Sequence, residues 1–326
     1  MFGPKSGLRV IAALSIAALT ATTPLNSANG ATGDYATTVK FLADKFVAGK
    51  ALDGFSPGMP DYGFTLEAML QRKAGGQKLT DQMTAVKATL ADTTVLSKSV
   101  VSKYAYGADK LIKPGLAGKF LFTSAAIGVP NAPLRNAVVA DLKKAMSNDG
   151  VIASGNSFDY AWAILGLATN HQEKLANLAA LKLAKLERPD GGFGLDQTGD
   201  TLTSSADATG IALQAIALAK KTGTKSQVAA EQKVLVAAAK YLRTTQVSGD
   251  HWESFGDVDV NGTAYAAMGL KAAGASVSTI QAWLKSRVAI TGGLTTPWSN
   301  GQGDVFATAQ GITALLGLSY LNLIGK

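Results

Sequence analysis

The 326-residue chain has no cysteine and only two histidines, His171 and His251. Disulfides, thiolate metal sites and cysteine nucleophiles are thereby excluded, and two histidines leave little from which to build a metal centre. Charged residues are sparse, at 17%, and the net charge of +8 is scattered rather than gathered into a basic run or interleaved with aromatics. Nucleic acid is therefore a poor partner. Hydrophobic residues, in contrast, make up 47% of the chain, enough for a large core and far from the composition of a disordered segment.

The N-terminus reads as an export signal. Lys5 and Arg9 precede the apolar run VIAALSIAALTA (10–21), which gives way to the small and turn-forming residues of SANGAT (27–32). About twelve apolar residues fall short of the roughly 20 that span a bilayer. The expectation is a signal peptide at 1–31 and a single domain at 32–326, secreted, with no stable membrane span after signal removal.

An internal repeat organises the rest. Apolar stretches rich in Ala, Gly and Leu recur six times, beginning near Asp61, Gly115, Asp159, Asp207, Asn261 and Phe306. Few charges interrupt them on any side, as expected of inner helices packed on both faces. More polar, one-sided helices lie between them, at about 78–91, 132–146, 171–186, 226–246 and 278–288. Five outer helices serve six inner ones, and residues 35–49 supply the missing partner beside the last repeat. The fold class that follows is all-α, a closed ring of six helical hairpins with six inner and six outer helices. Closure also explains why neither end carries a polar capping repeat. Between outer and inner helices recurs a glycine turn ending in a large apolar residue, as in ERPDGGF (187–193), MSNDGVI (146–152), VAITGGL (288–294) and, with its glycine one place early, QVSGDHW (246–252).

Two of these frames, LAKLERPDGGFG (183–194) and YLRTTQVSGDHW (241–252), resemble the Gln-Trp repeats of the prenyltransferase and squalene-oxidase repeat superfamily, whose fold is an α/α toroid. The last repeat, DVFATAQGITALLGLSYLNL (304–323), resembles the closing segment of the helical domain of transcobalamin and intrinsic factor and of related secreted bacterial toroids. The resemblance implies four chemistries. Class II terpene cyclases use the middle Asp of D-x-D-D-T-A; the best match here, residues 259–264, places Asn261 at that position, and an amide cannot deliver the proton. Asp207 retains a carboxylate in the neighbouring repeat without flanking acids. Zinc-dependent prenyl transfer and thioester chemistry both need cysteine. A glycosidase needs two carboxylates at a defined separation, and Asp61, Asp159, Asp207, Asp257, Asp259 and Asp304 offer candidates without selecting a pair.

Structure alone also accounts for several of these residues. Asp61, Asp159, Asp207 and Asn261 fall where an inner helix begins, and Asp and Asn are favoured N-caps worth about 1 kcal/mol. Inner helices joined by outer returns run parallel, so six N-termini with their positive dipole ends meet at one mouth. That mouth is the expected ligand site, formed by Asp61, Tyr62, Asp159, Tyr160, Asp207, Asp259, Asn261, Trp298, Asp304 and Gln310. The aromatics serve packing as readily as contact, and Gln310 faces either a ligand or a neighbouring helix. The leading functional reading is a secreted non-catalytic protein binding a small amphipathic ligand, cobalamin-like or isoprenoid-like. The alternatives are a cell-surface platform for a protein partner and a glycan-active or residual cyclase-like enzyme. No catalytic residue, metal or certain cofactor is assigned.

Overall fold

A computed structural model describes residues 35–46, 51–79, 104–106, 111–128, 132–195 and 204–324. The expected signal peptide and the outer helix expected near 78–91 lie outside them, apart from residues 78 and 79. Eleven α-helices are present among the described residues. Six form the inner wall: α2 (Tyr62–Ala74), α3 (Pro114–Ala126), α5 (Ser157–Ala168), α7 (Ala206–Ala219), α9 (Val260–Ala272) and α11 (Val305–Leu315). Five stand outside: α1 (Ala36–Asp44), α4 (Ala132–Ala145), α6 (Glu173–Leu183), α8 (Lys225–Thr244) and α10 (Ser278–Ser286). Each inner helix touches the next, and α11 returns to α2, so the ring closes as an α/α toroid. The N-terminal α1 packs on α11 and α2, which gives the last inner helix its outer partner.

Glycine sets how closely the inner helices approach. Gly118 of α3 lies against Gly166 of α5, and Gly210 of α7 against Gly269 of α9. A Cβ on Gly118 would run into the carbonyl of Trp162, and one on Gly210 into that of Tyr265, so these crossings bring backbone onto backbone. The inner helices are consequently buried nearly all round; every residue of α7 except Asp207 is buried. This is the packing that their all-round apolar sequence requires.

The loops leading into the inner helices carry the repeat frame. Gly150, Gly191 and Gly292 adopt the left-handed conformation at equivalent places, whereas in the fourth loop Ser248 and Gly249 share it, which absorbs the glycine standing one place early. The apolar residue that follows, Ile152, Phe193, Trp252 or Leu294, is buried in the ring. A further device was not legible as a motif. The backbone N–H of Leu52, Phe193, Trp252 and Leu294 donates to the hydroxyl of Thr65, Thr209, Thr263 and Thr308, at 2.9–3.0 Å, in the first turn of the next inner helix. In the third repeat the Tyr160 hydroxyl takes that role for Ile152, at 2.9 Å. Two short hairpins elaborate the same end of the ring: β1 (Leu52–Asp53) pairs antiparallel with β2 (Pro60–Asp61), and β3 (Glu253–Ser254) with β4 (Asp257–Val258).

The opposite end is closed from within. After α11 the chain turns at Ser319 into a 3₁₀ turn, Tyr320–Asn322, that drives Tyr320 into the lumen, where it is fully buried. Its backbone N–H donates to Gln214 at 2.9 Å, and its hydroxyl accepts from Gln71 at 3.2 Å. Its ring meets those of Trp162, Phe122 and Tyr265 at centroid distances of 5.4, 6.1 and 6.4 Å. These four aromatics fill the middle of the ring.

Candidate functional site

The mouth is built on helix N-termini, and its acids are mostly engaged there. Asp61, Asp259 and Asp304 are the N-caps of α2, α9 and α11, accepting from the backbone N–H of Phe64, Gly262 and Ala307 at 2.7–2.8 Å. The other three expected caps sit differently. Asp159 is the third residue of α5 and exchanges hydrogen bonds with the true cap, Asn156, in a capping box. Asp207 is the second residue of α7, which Ser205 caps, and Asn261 is the second residue of α9, which Asp259 caps. For Asp207 and Asn261 the shift of two positions matters, because a side chain at the second helical position leaves the capping to the residue before the helix and can reach across to the next one.

Asn261 does so. Its amide donates to Gln310 at 2.5 Å, and Gln310 in turn donates to Glu67 at 2.6 Å. Glu67 also pairs with Lys119, whose ammonium lies 5.0 Å from the centre of the Trp162 ring. One polar chain thus crosses from α9 through α11 and α2 to α3. Glu67 and Lys119 escaped the sequence reading although a signal was present. They are lone charges in otherwise apolar stretches, and each is the sixth residue of its helix, as are Trp162, Tyr265 and Gln310. The sixth residues of five inner helices form one layer across the lumen. Burial, with the Glu67 charge as a lesser cause, pushes the Tyr265 and Tyr320 hydroxyls well above the ordinary tyrosine range, so both stay protonated donors.

Gln310 is therefore tied into the wall on both sides. Replacing it with leucine is expected to lower stability by about 1 to 3 kcal/mol, because the Asn261 amide and one Glu67 oxygen lose their partner. Urea denaturation measures this, and a leucine variant as stable as the parent contradicts the network's structural weight.

Two further carboxylates stand at the starts of the adjoining helices α7 and α9. Asp259 is held above the usual carboxylate range, chiefly by burial and further by the charge of Asp207, with the Gly262 N–H partly offsetting both. The remaining candidates separate. Tyr160 is buried and structural, Tyr62 packs edge-on against Tyr104 at 4.8 Å, and Trp298 stands 75% exposed on a loop tip. Beside the mouth, residues 54–60 and the starts of α2 and α3 enclose an open groove of about 440 Å³, lined by Phe55, Met59, Tyr62 and Leu116. Phe306 closes its α11 side, stacked on Phe55 at 4.4 Å and edge-on to Phe64 at 4.3 Å. The sequence places both histidines on the surface, at an outer-helix start and in a turn; His171 is exposed there, but His251 is half-buried, stacked on Trp283 at 4.8 Å with Asp250 2.6 Å from Nδ1. The described residues contain no cluster of three metal-ligating side chains, and none of their helices is long and apolar enough to cross a membrane.

No protein-family model matches the chain, and no curated protein matches it in sequence. Solved structures do match in fold. The type II terpene cyclase MstE from Scytonema aligns with a TM-score of 0.62 at 11% identity, over 90% of this chain and 98% of that one. The unsaturated glucuronyl hydrolase of Bacillus sp. GL1, responsible for the degradation of glycosaminoglycan, aligns at 0.51 and 14% identity, over 90% and 96%. The unsaturated glucuronyl hydrolase of Streptococcus agalactiae aligns at 0.53 and 12%, over 87% and 89%. At such identities the likeness is one of fold, an α/α toroid shared with enzymes of two unrelated chemistries.

Proposed function

We propose that this toroid is a glycan-active protein whose mouth takes a saccharide, with Asp259 and Asp207 as the working pair. The observation that carries the reading is that pair: carboxylates at the starts of adjacent inner helices, Asp259 capping α9 and Asp207 second in α7, with Asp259 held above the usual carboxylate range by burial and, to a lesser degree, by the charge of Asp207. Unequal environments for two neighbouring acids are what divide the roles of general acid and general base. Asp259 gives its proton to the glycosidic oxygen as the bond from the anomeric carbon to that oxygen breaks. Asp207 takes a proton from the water whose oxygen bonds to that carbon, and the balance is one water added across the bond. The alternative of an isoprenoid held in the lumen finds less support, since Trp162, Tyr265, Phe122 and Tyr320 occupy the volume such a ligand needs. The export expected from the sequence of residues 1–31 would fit a substrate outside the cell.

The test is turnover on a panel of neutral and uronate-containing oligosaccharides, with cobalamin and an isoprenoid alcohol as binding controls. Asp259→Asn is expected to lower turnover at least about a hundredfold, while the melting transition holds, since asparagine caps a helix as well as aspartate. A wild type that cleaves and binds no saccharide overturns the reading, and one that binds cobalamin or the isoprenoid instead restores the carrier. The acid role of Asp259 also implies activity that falls as pH rises and the proton is lost.

A further inference from the structure

Nine large apolar side chains stand exposed among the described residues, and eight lie at one end of the ring, in the loops that lead from outer to inner helices. Every one of the six loops contributes: Phe55, Leu111, Val151, Leu195, Phe255 and Trp298 precede α2, α3, α5, α7, α9 and α11 in turn, and two loops carry a second. Scattered exposed apolar residues need no explanation, but their confinement to one end does.

Phe255 shows that folding did not place them. It occupies the first position of the two-residue turn joining β3 to β4, with φ of +54°, followed by Gly256 at +86°. A turn with both central residues left-handed prefers Asn, Asp or Gly first, and a bulky side chain there is strained. The Phe255 ring recovers nothing by packing, for it is fully exposed. Phe55 is similar: one ring face stacks on Phe306 while the residue remains 88% exposed.

The arrangement identifies the occupant. The tips are separated around a ring by exposed polar and acidic residues such as Ser56, Glu253 and Asp257, so they form a circle of separate prongs and not a continuous apolar plane. A rigid protein would need a matching circle of pockets, whereas a fluid lipid interface admits each prong independently and favours Trp and Phe at headgroup depth. Acids among the tips point to zwitterionic lipid and to insertion, not to attraction by anionic headgroups. We propose that the loop end of the toroid seats on a phosphatidylcholine-type bilayer surface by inserting this crown. The inference is independent of the chemistry assigned to Asp207 and Asp259; a mouth so seated receives its ligand from that surface.

Trp298 provides the readout, because Trp162, Trp252 and Trp283 are buried. The full chain mixed with phosphatidylcholine vesicles containing brominated lipid is expected to show quenched, blue-shifted emission, and Trp298→Phe is expected to float with vesicles yet lose the quenching. The triple variant Phe55→Ser, Phe255→Asn, Trp298→Ser is expected to partition at least about tenfold more weakly, from the apolar area withdrawn. Phe255→Asn alone is expected to raise the melting midpoint, because asparagine suits that turn, so weaker binding by the variants is not a folding defect. The proposal is overturned if Trp298 emission is unquenched or if the triple variant partitions like the parent. It is equally overturned by binding confined to anionic vesicles and lost in high salt, or by self-association that the triple variant abolishes without any lipid binding.

Discussion

Tyr320→Ala is expected to cost the fold about 3 to 5 kcal/mol, the range for deleting a buried aromatic whose cavity cannot collapse. The surroundings are stiff, since Trp162, Phe122 and Tyr265 hold their places on three inner helices whose spacing is fixed by Gly118–Gly166 and Gly210–Gly269 contacts. Little can move in to fill the gap. The Gln214 oxygen still receives the backbone N–H of residue 320, but Gln71 loses the hydroxyl to which it donates. For a chain of this size the melting midpoint is expected to fall by about 10 °C. Tyr320→Phe separates the contributions: it keeps the ring, leaves Gln71 without its acceptor, and is expected to cost about 1 kcal/mol. A Tyr320→Ala protein melting with the parent would show that the C-terminal segment is not part of the core.

Glu231 on α8 has the opposite character, since the fold is expected to gain by its replacement. The residue is fully buried beneath the turn after α7, and neither carboxylate oxygen has a hydrogen-bond partner. Burial pushes its carboxyl up from 4.5 to about 7, against the opposing pull of Lys220, whose ammonium bonds Gln232 at 2.7 Å. Below pH 4.5 the folded and unfolded chains both hold the proton. As pH rises from there to 7 the unfolded state releases it first, so stability declines through that window and levels off above it. The decline amounts to at most about 3 kcal/mol. Glu231→Gln is expected to remove this slope and to stabilise the protein at pH 8 by about 2 kcal/mol, with little effect at pH 4.5. Urea denaturation at the two pH values tests this; parallel profiles for parent and variant would mean that the carboxyl is hydrated in solution.

The ring was legible because its determinants are local and repeated. Apolar composition on every side of a helix can be satisfied only by burial on every side, and six such helices with one-sided partners leave a closed circle as the arrangement that buries them all. The mouth was legible for the same topological reason, and of the four residues expected at helix starts Asp61 is a cap, whereas the capping by Asp259 and Asp304, expected only as mouth residues, came from the structure. Harder to read was which acid caps and which does not. Asp159, Asp207 and Asn261 lie one to two residues inside their helices, and Asn156, Ser205 and Asp259 have the shorter path to the free N–H groups.

What tertiary structure alone decided is everything that depends on neighbours distant in sequence. Gln310 meets Glu67, 243 positions away, and Tyr320 meets Gln214, 106 positions away; no spacing rule relates such residues. Whether the lumen is open or filled follows from how closely the inner helices approach, which is set by glycines packed backbone to backbone. The sequence by itself determined a closed all-α ring with one polar mouth, because periodicity and burial act along the chain. The plug, the Asn261–Gln310–Glu67–Lys119 chain and the Asp207–Asp259 pair arise only where the ring brings its inner helices together, because hydrogen bonding and desolvation act through space.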